Sequence, residues 1–114
     1  MCITIYHNNR WSKSRETLQL LRDNGHEPNV IDYLKTPPNV NELNNICKIL
    51  GKRPEDIIRK GEKEYKTLNI NKIDKDDDLL IAMVTHPKLI ERPIVIKGEV
   101  AIIGRPPENV LKLI

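Results

Sequence analysis

The chain has no phenylalanine, one tryptophan and three tyrosines in 114 residues, so its core has to be built mainly from Ile, Leu and Val. Its two cysteines, Cys2 and Cys47, are too few and too far apart in sequence for a disulfide framework. Cys2 opens a strand pattern and Cys47 shares a helix face with Leu43, Ile46 and Leu50; both read as small buried hydrophobes, and neither stands at a helix N-terminus, where a thiol pKa would fall. No apolar run approaches the ~20 residues that a membrane helix needs, and the N-terminus runs directly into a strand pattern instead of a leader. A cytoplasmic protein with no membrane partner is expected. A net charge of +3 without a long Lys/Arg block argues against nucleic acid as a partner. No repeat or low-complexity linker divides the chain, so one domain, 1–114, is expected, and a monomer.

What is present falls into a readable order. Cys2 to Tyr6 is a β-branched strand, and Ser14 to Asn24 a helix with Leu18 and Leu21 on its buried side and Gly25 as a C′ residue. Pro28 to Tyr33 is a second strand, so the opening reads as a parallel βαβ unit. Thr36-Pro37-Pro38-Asn39 breaks that pattern, and Asn39 with Glu42 forms a capping box for a helix reaching Gly51. Pro54 to Lys60 is expected to be a short helix, and 61–74 polar and irregular with one turn near Tyr65. Asp76, Asp77 and Asp78 precede Leu79 and Leu80. That acidic run lacks the Gly and distal Glu of a calcium loop and suits the first turn of a helix, so no metal site is expected. After His86-Pro87 come two apolar strands, Pro93 to Ile96 and Val100 to Ile103, joined by Lys97-Gly98-Glu99, and a final helix opened by Pro106-Pro107-Glu108. The order β-α-β, helices, β-β-α is that of an α/β thioredoxin-like (glutaredoxin-like) mixed sheet flanked by helices, with a helical insertion at about 39–88.

The stretch Tyr6-His7-Asn8-Asn9-Arg10-Trp11-Ser12-Lys13-Ser14-Arg15 links the first strand to the first helix. A polar loop running into a helix N-terminus collects free N–H donors and the positive end of the helix dipole, and Arg10, Lys13 and Arg15 add charge there. The same loop reads equally as a solvated basic connection, with Ser14 as a plain N-cap.

Tyr6-His7-Asn8 followed by Ser12-Lys13-Ser14-Arg15-Glu16-Thr17-Leu18 resembles the opening of the glutaredoxin-coupled arsenate reductase family, roughly H-N-P-x-C-x-x-S-R-x-T-L. The resemblance continues through Asp32-Tyr33-Leu34-Lys35-Thr36-Pro37-Pro38, Leu89-Ile90-Glu91-Arg92-Pro93-Ile94-Val95 and Gly104-Arg105-Pro106-Pro107-Glu108, which is nearly the whole chain in matching order. It departs at two positions: Trp11 stands where the family has its nucleophilic cysteine, and Asn9 where it has proline. The resemblance implies the thioredoxin-like fold, a cis bond before Pro93, and arsenate held by Arg59, Arg92 and Arg105, with His7, Ser14 and Arg15 in the loop and helix start. Guanidinium groups suit that task because their planar donors engage two oxygens of a tetrahedral anion at once. It also implies glutathione and glutaredoxin as reductants, with no bound cofactor.

Trp11 conflicts with the reductase chemistry, because indole offers neither a nucleophile nor reducing electrons. Ser12 beside it could at most form an ester with help from His7, without reduction. Three functions therefore compete: an arsenate reductase-family protein impaired by Trp11; a non-catalytic oxyanion- or protein-binding module; and a transcription regulator like the Spx branch of the same fold. The Spx branch carries Cys-x-x-Cys where this chain has Trp11 and Ser14, so the three arginines favour the reductase branch.

Overall fold

A computed structural model describes residues 2–114 as two compact units. One takes the chain up to Thr36 and again from Arg92 to Ile114; the other spans Pro37–Glu91.

The first unit is an α/β structure on a four-stranded sheet. Strands β1 (Ile3–His7), β2 (Asn29–Asp32), β3 (Ile94–Lys97) and β4 (Val100–Ile103) lie in the order β2-β1-β3-β4. β1 and β2 run parallel, bridged by α1 (Ser12–Asp23), while β3 is antiparallel to β1 and to β4. The chain thus forms the expected βαβ crossover, followed by a hairpin. β1 alternates buried and half-buried positions, and this period of two turns Ile3 and Ile5 into a core with Leu21, Val95, Val110 and Leu113. The 3₁₀ helix Pro107–Lys112 packs along α1 and supplies Val110.

Several boundaries differ from the sequence reading, each for a local reason. α1 begins at Ser12, two residues early, because a turn closed by the Trp11 N–H on the Asn8 carbonyl (3.1 Å) delivers the chain into the helix at once. Its buried stripe is Ser14, Thr17 and Leu21, with Leu18 half-buried at its flank. Cys2 precedes β1 and is exposed. Val30 is also exposed, because β2 is an edge strand. The hairpin turn is two residues, Gly98-Glu99; Gly98 at φ +63° supplies the left-handed first position that such a turn requires.

The second unit is mainly helical: α2 (Val40–Leu50), α3 (Lys63–Thr67) and α4 (Asp76–Thr85), with 3₁₀ turns at Pro54–Asp56, Ile70–Lys72 and Pro87–Leu89. α2 packs on α4 over a core that includes Leu43, Ile46, Cys47, Ile57, Leu80 and Met83. Asn39 caps α2 as the sequence indicates: its side chain accepts from the Glu42 N–H at 2.8 Å, and Glu42 accepts from the Asn39 N–H at 3.2 Å. The acidic run opens α4. The expected helix 54–60 stops at Asp56, because Ile58 pairs antiparallel with Ile90 instead. The stretch 61–74 is more ordered than its polarity indicates, holding α3 and the turn Ile70–Lys72.

Candidate functional site

The loop between β1 and α1 is held by its own polar side chains. Asn8, buried at the end of the strand, accepts the Arg10 N–H on its Oδ1 (3.0 Å) while its carbonyl accepts from Trp11; this is the local turn for which Asn is suited. Ser14, fully buried, is not the N-cap. Its hydroxyl reaches back, accepting from the Asn8 N–H at 3.0 Å and lying 2.7 Å from His7 Nδ1. The hydroxyl keeps a second lone pair and its own proton, so it can pair with Nδ1 in either tautomer of the ring. Burial pushes the His7 pKa below its ordinary value, and the Arg22 and Arg15 charges add to this; a hydrogen bond with the Asn9 side chain and the Asp32 carboxylate oppose it.

Trp11 occupies the cap position in extended conformation (φ −107°, ψ 127°) and makes no side-chain capping bond. The N–H groups of Ser12, Lys13 and Ser14 therefore lie ahead of the first helical acceptor, the Trp11 carbonyl, which takes the Arg15 N–H at 3.1 Å. Trp11 is 44% exposed, and the guanidinium carbon of Arg92 sits 3.6 Å from its ring centroid. Arg92 itself is only 4% exposed, so this cation–π contact is largely removed from water on the arginine side, where such contacts are strongest. Ser12, Lys13 and Arg15 are exposed along the start of α1, and Arg15 Nη1 donates to the Asn9 carbonyl at 2.8 Å.

Two further segments of this unit frame the loop. The Arg92–Pro93 bond is cis, as the resemblance implies, and the Arg105–Pro106 bond is cis as well. Gly104 ties these segments together: its N–H donates to the Pro93 carbonyl at 2.8 Å, and its carbonyl lies 3.3 Å from the Thr17 hydroxyl. A Cβ on Gly104 would fall 2.7 Å from Thr17 Oγ1 and 2.8 Å from Pro93 Cγ, so only glycine fits without displacement. Arg105 is exposed beyond it, its carbonyl accepting from Asn109 Nδ2 at 3.1 Å.

The model of the ArsC family matches residues 6–113. The chain belongs to the ArsC family. Over its full length it is 46% identical to the arsenate reductase of Haemophilus influenzae, covering all of that protein too. It is 49% identical to the protein YfgD of Escherichia coli K12, over 98% of this chain and 96% of YfgD. Among solved structures, the arsenate reductase from Vibrio cholerae superposes with a TM-score of 0.96 at 48% identity, covering 100% of this chain and 98% of that one. The fold is accordingly the thioredoxin-like fold of the ArsC family.

Of the residues singled out from the sequence, His7, Ser14, Trp11 and Arg92 come into direct contact in two pairs flanking one loop, and Pro93 follows Arg92 directly. Arg59 belongs to the second unit and does not end a helix. It follows the Ile58–Ile90 pairing, donates its N–H to the Leu89 carbonyl (2.7 Å), and its guanidinium is held by Glu91 (3.0 Å) and Glu62 (3.4 Å). Sequence reasoning missed Asn8, Thr17, Gly104, Glu62 and Glu91. Asn8 was accessible from turn chemistry alone, whereas the others act through partners distant in sequence or across a turn that was not foreseen. Neither cysteine stands at the α1 N-terminus. Cys2 is exposed ahead of β1, and burial pushes the Cys47 thiol on α2 up to about 11, with the Asp76 and Asp56 carboxylates adding to the rise.

Proposed function

We propose that this ArsC-family protein binds arsenate or a similar tetrahedral oxyanion and lacks the thiolate step of the arsenate reductase reaction. The observation that carries the reading is the Trp11 ring stacked 3.6 Å from the Arg92 guanidinium at the position where the family's reacting sulfur belongs. Arg59, Arg92 and Arg105 are assigned to the anion on the family resemblance. The uncapped N–H groups at the head of α1 support an anion there, since their dipoles add to the arginine charge.

The family route starts with a thiolate that displaces water from arsenate. Glutathione then attacks the arsenic–sulfur adduct, and glutaredoxin completes the two-electron reduction as arsenite leaves. Every step after binding needs sulfur as nucleophile or electron source, and indole supplies neither. Cys47, with a thiol pKa near 11, is almost entirely protonated at neutral pH and is a poor substitute.

The test is a coupled assay of arsenate-dependent NADPH consumption with glutathione and glutaredoxin, run on the wild type and on Trp11→Cys. No turnover by the wild type and turnover by the variant is the expected result. Turnover by the wild type would refute the loss of the thiolate step. Failure of both proteins, together with no arsenate binding by calorimetry, would remove the oxyanion reading as well.

A further inference from the structure

The Trp11 ring and the Arg92 guanidinium meet because two backbone segments are pinned independently. The Trp11 N–H donates to the Asn8 carbonyl at 3.1 Å, and its own carbonyl accepts the Arg15 N–H at 3.1 Å. The main chain that carries the indole is therefore fixed on both sides. Arg92 arrives from the other direction. β3 lies antiparallel to β1 with Ile94 opposite Tyr6, which runs the chain before Ile94 alongside the loop that follows Tyr6. Pro93, the next residue, accepts the Gly104 N–H on its carbonyl at 2.8 Å. From these two supports the guanidinium carbon stands 3.6 Å from the ring centroid. A guanidinium nitrogen is about 1.3 Å from its carbon, so turning one toward the indole would bring it far inside contact distance. The cation lies flat on the ring.

From this geometry we propose that Trp11 is a positioning residue for the oxyanion: the electron-rich face of its indole holds the plane of the Arg92 guanidinium in one orientation before the anion arrives. The proposal rests on the oxyanion reading above and on the role given there to Arg92. It gives the indole a task in binding at the position where the family resemblance puts the reacting sulfur. A face-to-face stack uses no N–H donor, because all of them lie in the guanidinium plane. Ring and anion therefore address different parts of the same cation and do not compete for it. Immobilising a long side chain costs affinity when the ligand has to impose it, and an arginine already held loses less. The hold is electrostatic, since the cation is attracted by the negative face of the ring, so it weakens when electron density is withdrawn from the indole. A contact that acted through bulk alone would not respond.

Trp11 is the only tryptophan in the sequence, so expression with fluorinated tryptophans alters this ring and no other. Fluorine in place of hydrogen withdraws electron density from the ring face with little change in size. Arsenate affinity, measured by calorimetry at one pH, is expected to fall stepwise as ring fluorines are added, by about tenfold across the series. Trp11→Leu should lose as much, while Trp11→Tyr, which keeps an electron-rich face, should retain part of the affinity. In Arg92→Gln the dependence on fluorine should vanish; if that variant fails to fold, the fluorinated series and the two Trp11 variants carry the test. Affinity indifferent to fluorine would mean that the ring acts by bulk and would overturn the proposal. Affinity that rises with fluorine would overturn it too, since the ring would then be drawing Arg92 away from the anion. If the wild type binds no arsenate, the oxyanion reading fails and this inference with it; equal binding by Arg92→Gln removes the role of Arg92 and the inference together. Weakening by Arg92→Gln with a flat fluorine series defeats only the role given to Trp11.

Discussion

The Ser14 hydroxyl serves two buried partners at once, accepting from the Asn8 main chain and sharing a hydrogen bond with His7 Nδ1. Truncation to Ala removes both and leaves a buried N–H and a ring nitrogen with a hydrogen bond fewer each, the costly way to lose such contacts. Ser14→Ala is expected to lower the unfolding free energy by about 1–3 kcal/mol, read from the midpoint of urea denaturation at unchanged slope. An unchanged midpoint would mean that the pair contributes nothing net in water. Sequence placed the helix start at Ser14, two residues after the observed one, and allowed Ser14 a simpler duty, because a hydroxyl at that position suits a cap and nothing local reveals that the preceding turn faces it. Trp11 is the opposite case. Its chemical consequence was legible from the letter alone, whereas its stacking on Arg92 depends on β3 arriving beside the α1 N-terminus, which no local pattern encodes.

Elements whose cause is local were legible and those with a distant cause were not. The Asn39–Glu42 box and the left-handed Gly51 that closes α2 (φ +68°) follow from a few adjacent residues. The stretch after Pro54 was misread as helix because Ile58 finds its partner in Ile90, and pairing across that separation outweighs a weak helical pattern. Gly104 likewise looks like an ordinary strand-ending glycine until Thr17 on α1 and Pro93 before β3 are seen packed against its Cα. Gly104→Ala should force the end of β4 away from α1 and cost about 1–3 kcal/mol as an overpacking change, lowering the melting temperature by several degrees. Melting at the wild-type temperature would show that Thr17 and Pro93 can yield at no cost. The same displacement would carry Arg105, the next residue, out of place, so weaker oxyanion binding should accompany the lower melting point.

For the whole chain, the order of elements was enough to indicate the fold. A βαβ opening and a ββα close leave few ways to make one sheet, and the observed order β2-β1-β3-β4 puts β1 at its interior, with His7 at the end of that strand. This placement gives folding stability a particular pH dependence. Burial lowers the His7 pKa in the folded protein, while the unfolded chain titrates near the ordinary 6.5. Between those two values the unfolded state binds more protons than the folded state, so stability falls as pH falls, by up to about 1.4 kcal/mol per pH unit for one proton. Above the unfolded value the contribution is complete and flat. Urea denaturation of the wild type and of His7→Gln from pH 8 to pH 5 should therefore give a stability difference that is constant above about pH 7. That difference should shift against the wild type as the medium is acidified through 6.5, because only the wild type must then hold this imidazole neutral. Parallel curves over the whole range would mean that the ring keeps its ordinary affinity for protons at the end of the strand.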